Sequence, residues 1–179
     1  MCRQRFDVEQ WQADGFATAQ ESAWWSDRAC GVACVRMMLL ARFGQAPASA
    51  ELLHEARADG AYLRDRGWSH AGLAHLGARH GLPAEAVAVP DDEIAGHLER
   101  APVIVSVKIE FPVGQGRGGH LVVLTGADGW ARGAGFWFND PSSWGQRHHW
   151  VSGRRLRAAY SGRAIVFPHI DWGSHGAAS

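Results

Sequence analysis

The sequence is short of the features that mark several protein classes. It has three cysteines, Cys2, Cys30 and Cys34, too few and too unevenly spaced for a disulfide framework. Lys and Arg together number 18, matched by 18 Asp and Glu. There is thus no excess of cations of the kind that neutralises phosphates, and no nucleic-acid partner is expected. The longest clean apolar run lies around 103–107, far short of the roughly 20 residues a membrane helix needs. The first residues, MCRQRFDVEQWQADGF, have no apolar stretch and no small-residue cleavage site. The expectation is a soluble, reduced, cytoplasmic protein that works off the membrane. Cys30 and Cys34 have no second ligand pair at zinc-site spacing, and nothing calls for a metal or another cofactor.

What is present describes a globule. The chain has 179 residues, 46% hydrophobic and 20% charged, which suits one compact domain over 1–179 with a core at about 20–168. A Gly- and Ala-rich tail after Pro168 is expected to be loose. Nine tryptophans are a large supply, enough for a core and for a ring-lined groove.

The two halves differ in hydrophobic period. CGVACVRMMLLARF, residues 30–43, repeats apolar residues at helical spacing and stops at Gly44. Helices are also expected over 49–58 and, capped by Ser69, through His80. After a short strand at 85–89 and a helix at 91–100, β-branched and aromatic runs appear at 103–109, 120–125, 135–139 and 164–167. A helical half followed by antiparallel strands is an α+β arrangement.

Three residues carry chemistry. Cys30 begins the long helix, where unpaired N–H groups and the helix dipole favour thiolate over thiol. Its backbone N–H is free to donate to a developing oxyanion, and Gly31 is expected to leave room for a substrate backbone. The alternative for an isolated Cys is a small buried hydrophobe, which is the reading for Cys34. His120, in GRGGHLVVLTGAD, opens a strand behind a glycine-rich approach. Asp140, in NDPSSW, closes another strand at a turn. If those strands are antiparallel neighbours, the carboxylate lies beside the imidazole and orients it toward the thiol.

The run DRACGVACVRMMLLARFG resembles the Cys-Gly-x-Ala helix of papain-like cysteine peptidases of the double-glycine-leader, bacteriocin-processing type. GGHLVVLTGAD and FWFNDPSSWG resemble that family's Gly-His and Asn-Asp-Pro motifs. The order, with a Trp ahead of a helix in GWSHAGLAHLGARHG, is also similar to a branch named for guanylyl cyclase domains. The resemblance covers roughly 20–168. It implies a papain-like cysteine peptidase fold, an N-terminal helical half with the nucleophile helix packed on a C-terminal antiparallel sheet. It implies Cys30 as nucleophile, His120 as general base and Asp140 as its orienter. The family usually places a Gln six residues before the nucleophile to complete the oxyanion hole. Here that position is Trp24, leaving Gln20, Ser26 or the Trp24 indole N–H as candidate donors. Loss of one such donor costs about 100- to 1000-fold in rate. Trp25, Trp68, Gly119 and Trp144 are candidates for shaping the substrate groove.

The expected function is acyl transfer on a peptide or amide. With water the enzyme is a protease or amidase. With an amine it is a transamidase or peptide cyclase, as in peptide natural-product biosynthesis. A catalytically silent peptide-binding module is the alternative. Nucleotide cyclisation lacks a phosphate cradle: Gly114, Gly116, Gly118 and Gly119 precede a strand rather than a helix.

Overall fold

The structure, a computed structural model, describes residues 5–7, 9–108, 111, 119–128, 135–142, 145–168, 170 and 172. Cys2, Trp144, Gly114, Gly116, Gly118 and the end of the tail lie outside the described residues.

The helical half starts earlier than its periodicity indicated. Helix α1 (Ala19–Ser26) includes Trp24 and Trp25. Its start is a capping arrangement: Thr18 Oγ1 accepts the Glu21 N–H at 3.0 Å, and Glu21 Oε2 accepts the Ala17 N–H at 2.9 Å. Helix α2 (Cys30–Phe43) follows after three residues and ends at Gly44, whose φ of 72° is the left-handed turn that glycine adopts without strain. Its first ten residues are buried except Arg36, so it runs through the interior rather than lying on the surface. Arg36 turns outward and donates from Nε to the Pro47 carbonyl at 2.8 Å. Helices α3 (Ser49–Ala58) and α4 (His70–Arg79) match the expected positions. Between them lies a small unforeseen hairpin, β1 (Tyr62–Leu63) and β2 (Gly67–Trp68).

The second half is one sheet of six strands. In chain order these are β3 (Glu85–Ala88), β4 (Val103–Lys108), β5 (Gly119–Asp128), β6 (Gly135–Asn139), β7 (Trp150–Ser152) and β8 (Tyr160–Val166). Their spatial order is β3-β8-β4-β5-β6-β7, antiparallel throughout. Two helices complete the fold, α5 (Ile94–Leu98), shorter than expected, and α6 (Gly153–Ala159), which was not expected.

Side chains alternate across a strand, so a strand buried on both sides reads as one continuous apolar run. Ile104, Leu121, Val123 and Ile165 join the core built with α2, α3 and α4. Val103, Val105, Val122 and Leu124 join a second core with Ile94 of α5 and Leu156 of α6. This sandwiching packs α2 against β5 and so brings the helical half to the strand that carries His120. No helix among the described residues is long and apolar enough to cross a membrane.

Candidate active site

Cys30 is the first residue of α2, and its residue exposure is 8%. The turn that delivers it is pinned from across the fold. The Trp68 indole N–H donates to the Arg28 carbonyl at 2.6 Å. Arg28 in turn donates to the Trp24 carbonyl at 3.0 Å and stacks 4.0 Å above the Trp24 ring. Gly31 does not leave space for substrate as expected. A Cβ there would come within 2.8 Å of Trp68 Cγ and Leu73 Cδ1. The glycine lets the indole and the leucine pack directly on the start of α2.

His120 is the second residue of β5, and Asp140 directly follows β6. Antiparallel pairing of β5 with β6 brings them together across the sheet rim. The His120 Nε2–H donates to Asp140 Oδ1 at 2.8 Å. The same oxygen accepts the Ser142 N–H at 2.8 Å, and Ser142 Oγ accepts the Gly145 N–H at 3.0 Å. This turn holds the carboxylate with a residue exposure of 1%. A Cβ on Gly145 would overlap Asp140 Cβ and Cγ, so glycine is required at that position. Gly145 and Ser142 were missed in the sequence; the Asp-Pro-Ser-Ser-x-Gly pattern is a turn signature that shows where such support lies.

The Cys30 sulfur is the second group that acts on the His120 ring. Nε2 is committed to Asp140, which leaves Nδ1 for the sulfur. Burial works to lower the imidazole pKa. The hydrogen bonds and charges of Asp140 and Cys30 outweigh it and raise the group to about 10. Burial also works to raise the Asp140 carboxyl. The hydrogen bond and charge of His120, joined by the Ser142 N–H, overcome it and hold the carboxyl below its usual value.

Cys30, His120 and Asp140 face one cleft of about 550 Å3. Trp68 and Gly119 line it, as do Tyr62 and Ser106, which no sequence pattern had marked. Trp25 does not line it. Its ring is buried against Tyr62 and Trp68, with centroids 4.9 and 6.2 Å away, as part of the wall's foundation. Of the three side chains considered as oxyanion donors, none lines the cleft. Gln20 is exposed at the start of α1, and Trp24 is 40% exposed. Ser26 is buried and accepts the Phe6 N–H at 3.0 Å. Cys34 lies one turn beyond Cys30, fully buried, and its thiol donates to the Leu121 carbonyl at 3.3 Å. No cluster of three or more His, Cys, Asp or Glu suited to a metal occurs among the described residues.

A cysteine at the head of a buried helix, packed on an antiparallel sheet that supplies a His–Asp pair, defines the papain-like cysteine peptidase class. The chain belongs to the Peptidase C39 family, whose sequence pattern matches residues 24–169. Solved structures agree in fold. A double glycine motif protease from the AMS/PCAT transporter, in complex with its leader peptide, is 20% identical with a TM-score of 0.53; the match covers 77% of this chain and 82% of that one. The peptidase domain of Streptococcus ComA, a bifunctional ABC transporter of a quorum-sensing pathway, is 18% identical with a TM-score of 0.58; the match covers 78% and 90%. No curated protein sequence matches the chain at a significant level.

Proposed function

We propose that this peptidase cuts its substrate through a Cys30–His120–Asp140 triad and a thioester intermediate. The observation that carries the reading is His120, hydrogen-bonded to Asp140, facing the same cleft as Cys30. The raised pKa of His120 keeps the imidazole protonated at neutral pH, ready to act as the acid beside the sulfur.

In the first half-reaction Cys30 Sγ attacks the scissile carbonyl carbon. The carbonyl oxygen takes the negative charge and is met by the Cys30 backbone N–H at the start of α2, a position whose N–H has no acceptor within the helix. The imidazolium of His120 gives its Nδ1 proton to the departing amine as the C–N bond breaks. In the second half-reaction His120, now neutral, takes a proton from water. The hydroxide adds to the thioester carbonyl, the C–S bond breaks, and the acid product and thiolate–imidazolium pair remain. Asp140 holds the imidazole in the tautomer and orientation both steps require. An amine in place of water gives transamidation or cyclisation by the same route.

The substrate we propose is a peptide with small residues at the scissile bond. Trp68 and Tyr62 line the same cleft as Cys30 and present flat rings to the bound chain. The likeness to a double glycine motif protease points to this substrate. Incubation with leader-type peptides ending in Gly-Gly, followed by mass spectrometry, tests this. Cleavage after Gly-Gly in the native protein, absent in Cys30→Ala and slowed for an Ala-Ala peptide, is the expected result. Undiminished cleavage by Cys30→Ala would refute the triad.

A further inference from the structure

The cleft holds polar side chains that this chemistry leaves idle; the inference drawn from them rests on the peptidase reading. Arg66, between β1 and β2, and His70, the first residue of α4, line the same cleft as Cys30 and His120. The Arg66 side chain is exposed and makes no hydrogen bond or ion pair among the described residues; only its backbone N–H is bonded, to the Leu63 carbonyl at 3.0 Å. His70 Nε2 is shut off from solvent and also lacks a partner among the described residues. Such an orphan is uncommon, because a buried polar atom without a partner is costly.

The cleft carries cations together with two acids, Asp27 and Asp140. Burial and the positive charge of Arg163 on β8 both lower the His70 pKa, which keeps the ring neutral and able to donate one N–H. The acids of the cleft are otherwise engaged. Asp140 is committed to His120 and Ser142, and Asp27 lies 3.8 Å from Arg5. His120 adds a further positive group. The wall therefore combines an unpaired guanidinium and an imidazole with an unused nitrogen.

We propose that Arg66 and His70 form an anion-binding wall that takes a carboxylate side chain of the peptide substrate next to the scissile bond. A guanidinium presents two parallel N–H groups that match a carboxylate. A turn of the His70 ring would release its hidden nitrogen to the same ligand.

Iodoacetate and iodoacetamide test this directly. They are the same electrophile with and without a carboxylate, and Cys30 Sγ displaces iodide from either. Peptide mapping separates Cys30 from Cys2 and Cys34. The readout is the ratio of the two second-order rate constants at Cys30. His120 is present in every variant, so its charge cancels. We expect Arg66→Gln to lower the ratio about fivefold and the Arg66→Gln/His70→Gln pair about tenfold, the scale of one partly screened charge plus one hydrogen bond. Arg64→Gln removes a charge from the same hairpin that does not line the cleft, and leaves the ratio unchanged. An unchanged ratio in the double variant, or an equal fall in Arg64→Gln, would overturn the proposal while the peptidase reading stands. Failure of native Cys30 to react with iodoacetamide at all would overturn both.

Discussion

Replacing Asp140 by Asn keeps the side chain's shape and removes its charge. The carboxylate has a residue exposure of 1%, so no solvent is available to compensate. Its Oδ1 accepts both the His120 Nε2–H and the Ser142 N–H at 2.8 Å. A hydrogen bond to a charged group contributes about 1.5–3 kcal/mol and a neutral one about 0.5–1.5. The change therefore withdraws on the order of 1–1.5 kcal/mol from the imidazolium, close to tenfold in its population relative to neutral imidazole. The sign follows from the shift. His120 is raised to about 10, so its proton is held through neutral pH and lost as pH rises through that value. Without the Asp140 charge the loss occurs at lower pH. The imidazolium still predominates at neutral pH after a shift of about one unit, so alkylation of Cys30 by iodoacetamide there, followed by intact-protein mass spectrometry, should change little. The alkaline limb of kcat/KM, near pH 10 in the native protein, should move down. An Asn variant with an unmoved alkaline limb would refute the electrostatic argument. Asp140→Ala adds a second measure: it leaves a buried imidazolium without its partner and should lower Tm, at a cost of about 3–5 kcal/mol.

Three further substitutions probe the supports. Gly145→Ala pushes a methyl group into Asp140 Cβ and Cγ; peptide cleavage should fall at least about tenfold with the displaced carboxylate, alongside about 1–3 kcal/mol of overpacking in a denaturant titration. Gly31→Ala drives Cβ against Trp68 and Leu73 and should also lose about 1–3 kcal/mol by thermal melting; full native Tm would show that the contact relaxes freely. Trp68→Phe keeps a ring but removes the N–H bonded to the Arg28 carbonyl; a loss of about 1 kcal/mol is expected, with a fall in kcat larger than any rise in KM because the turn before Cys30 is loosened.

Legibility varied with how local each signal was. Helix α2 announced itself by apolar spacing and by Gly44, and β4, β5 and β6 by runs of Val, Leu and Phe between turn residues. Helix α1 was overlooked although Thr18 and Glu21 form a start signal, because polar residues dilute its apolar face. The short elements β1, β2, β7 and α6 were not legible either. Two- and three-residue strands carry no period, and α6 has a single buried Leu156 with two buried small residues beside it. Gly31 was legible as a close approach, but the approaching group is Trp68, not a ligand.

The amino-acid order by itself determined the local chemical settings: a cysteine where a helix begins, a histidine where a strand begins, an aspartate where a strand turns. Each depends on a few neighbouring residues, and hydrogen bonding within a turn or helix enforces it. Only the tertiary structure decided that these groups meet, that Trp68 clamps the turn before Cys30, and that Arg66 and His70 share the cleft. Those encounters follow from burying α2 against one face of β5 and from pairing β5 with β6. Hydrophobic burial is non-directional, and its partners lie far apart in the chain, so local spacing carries no record of them.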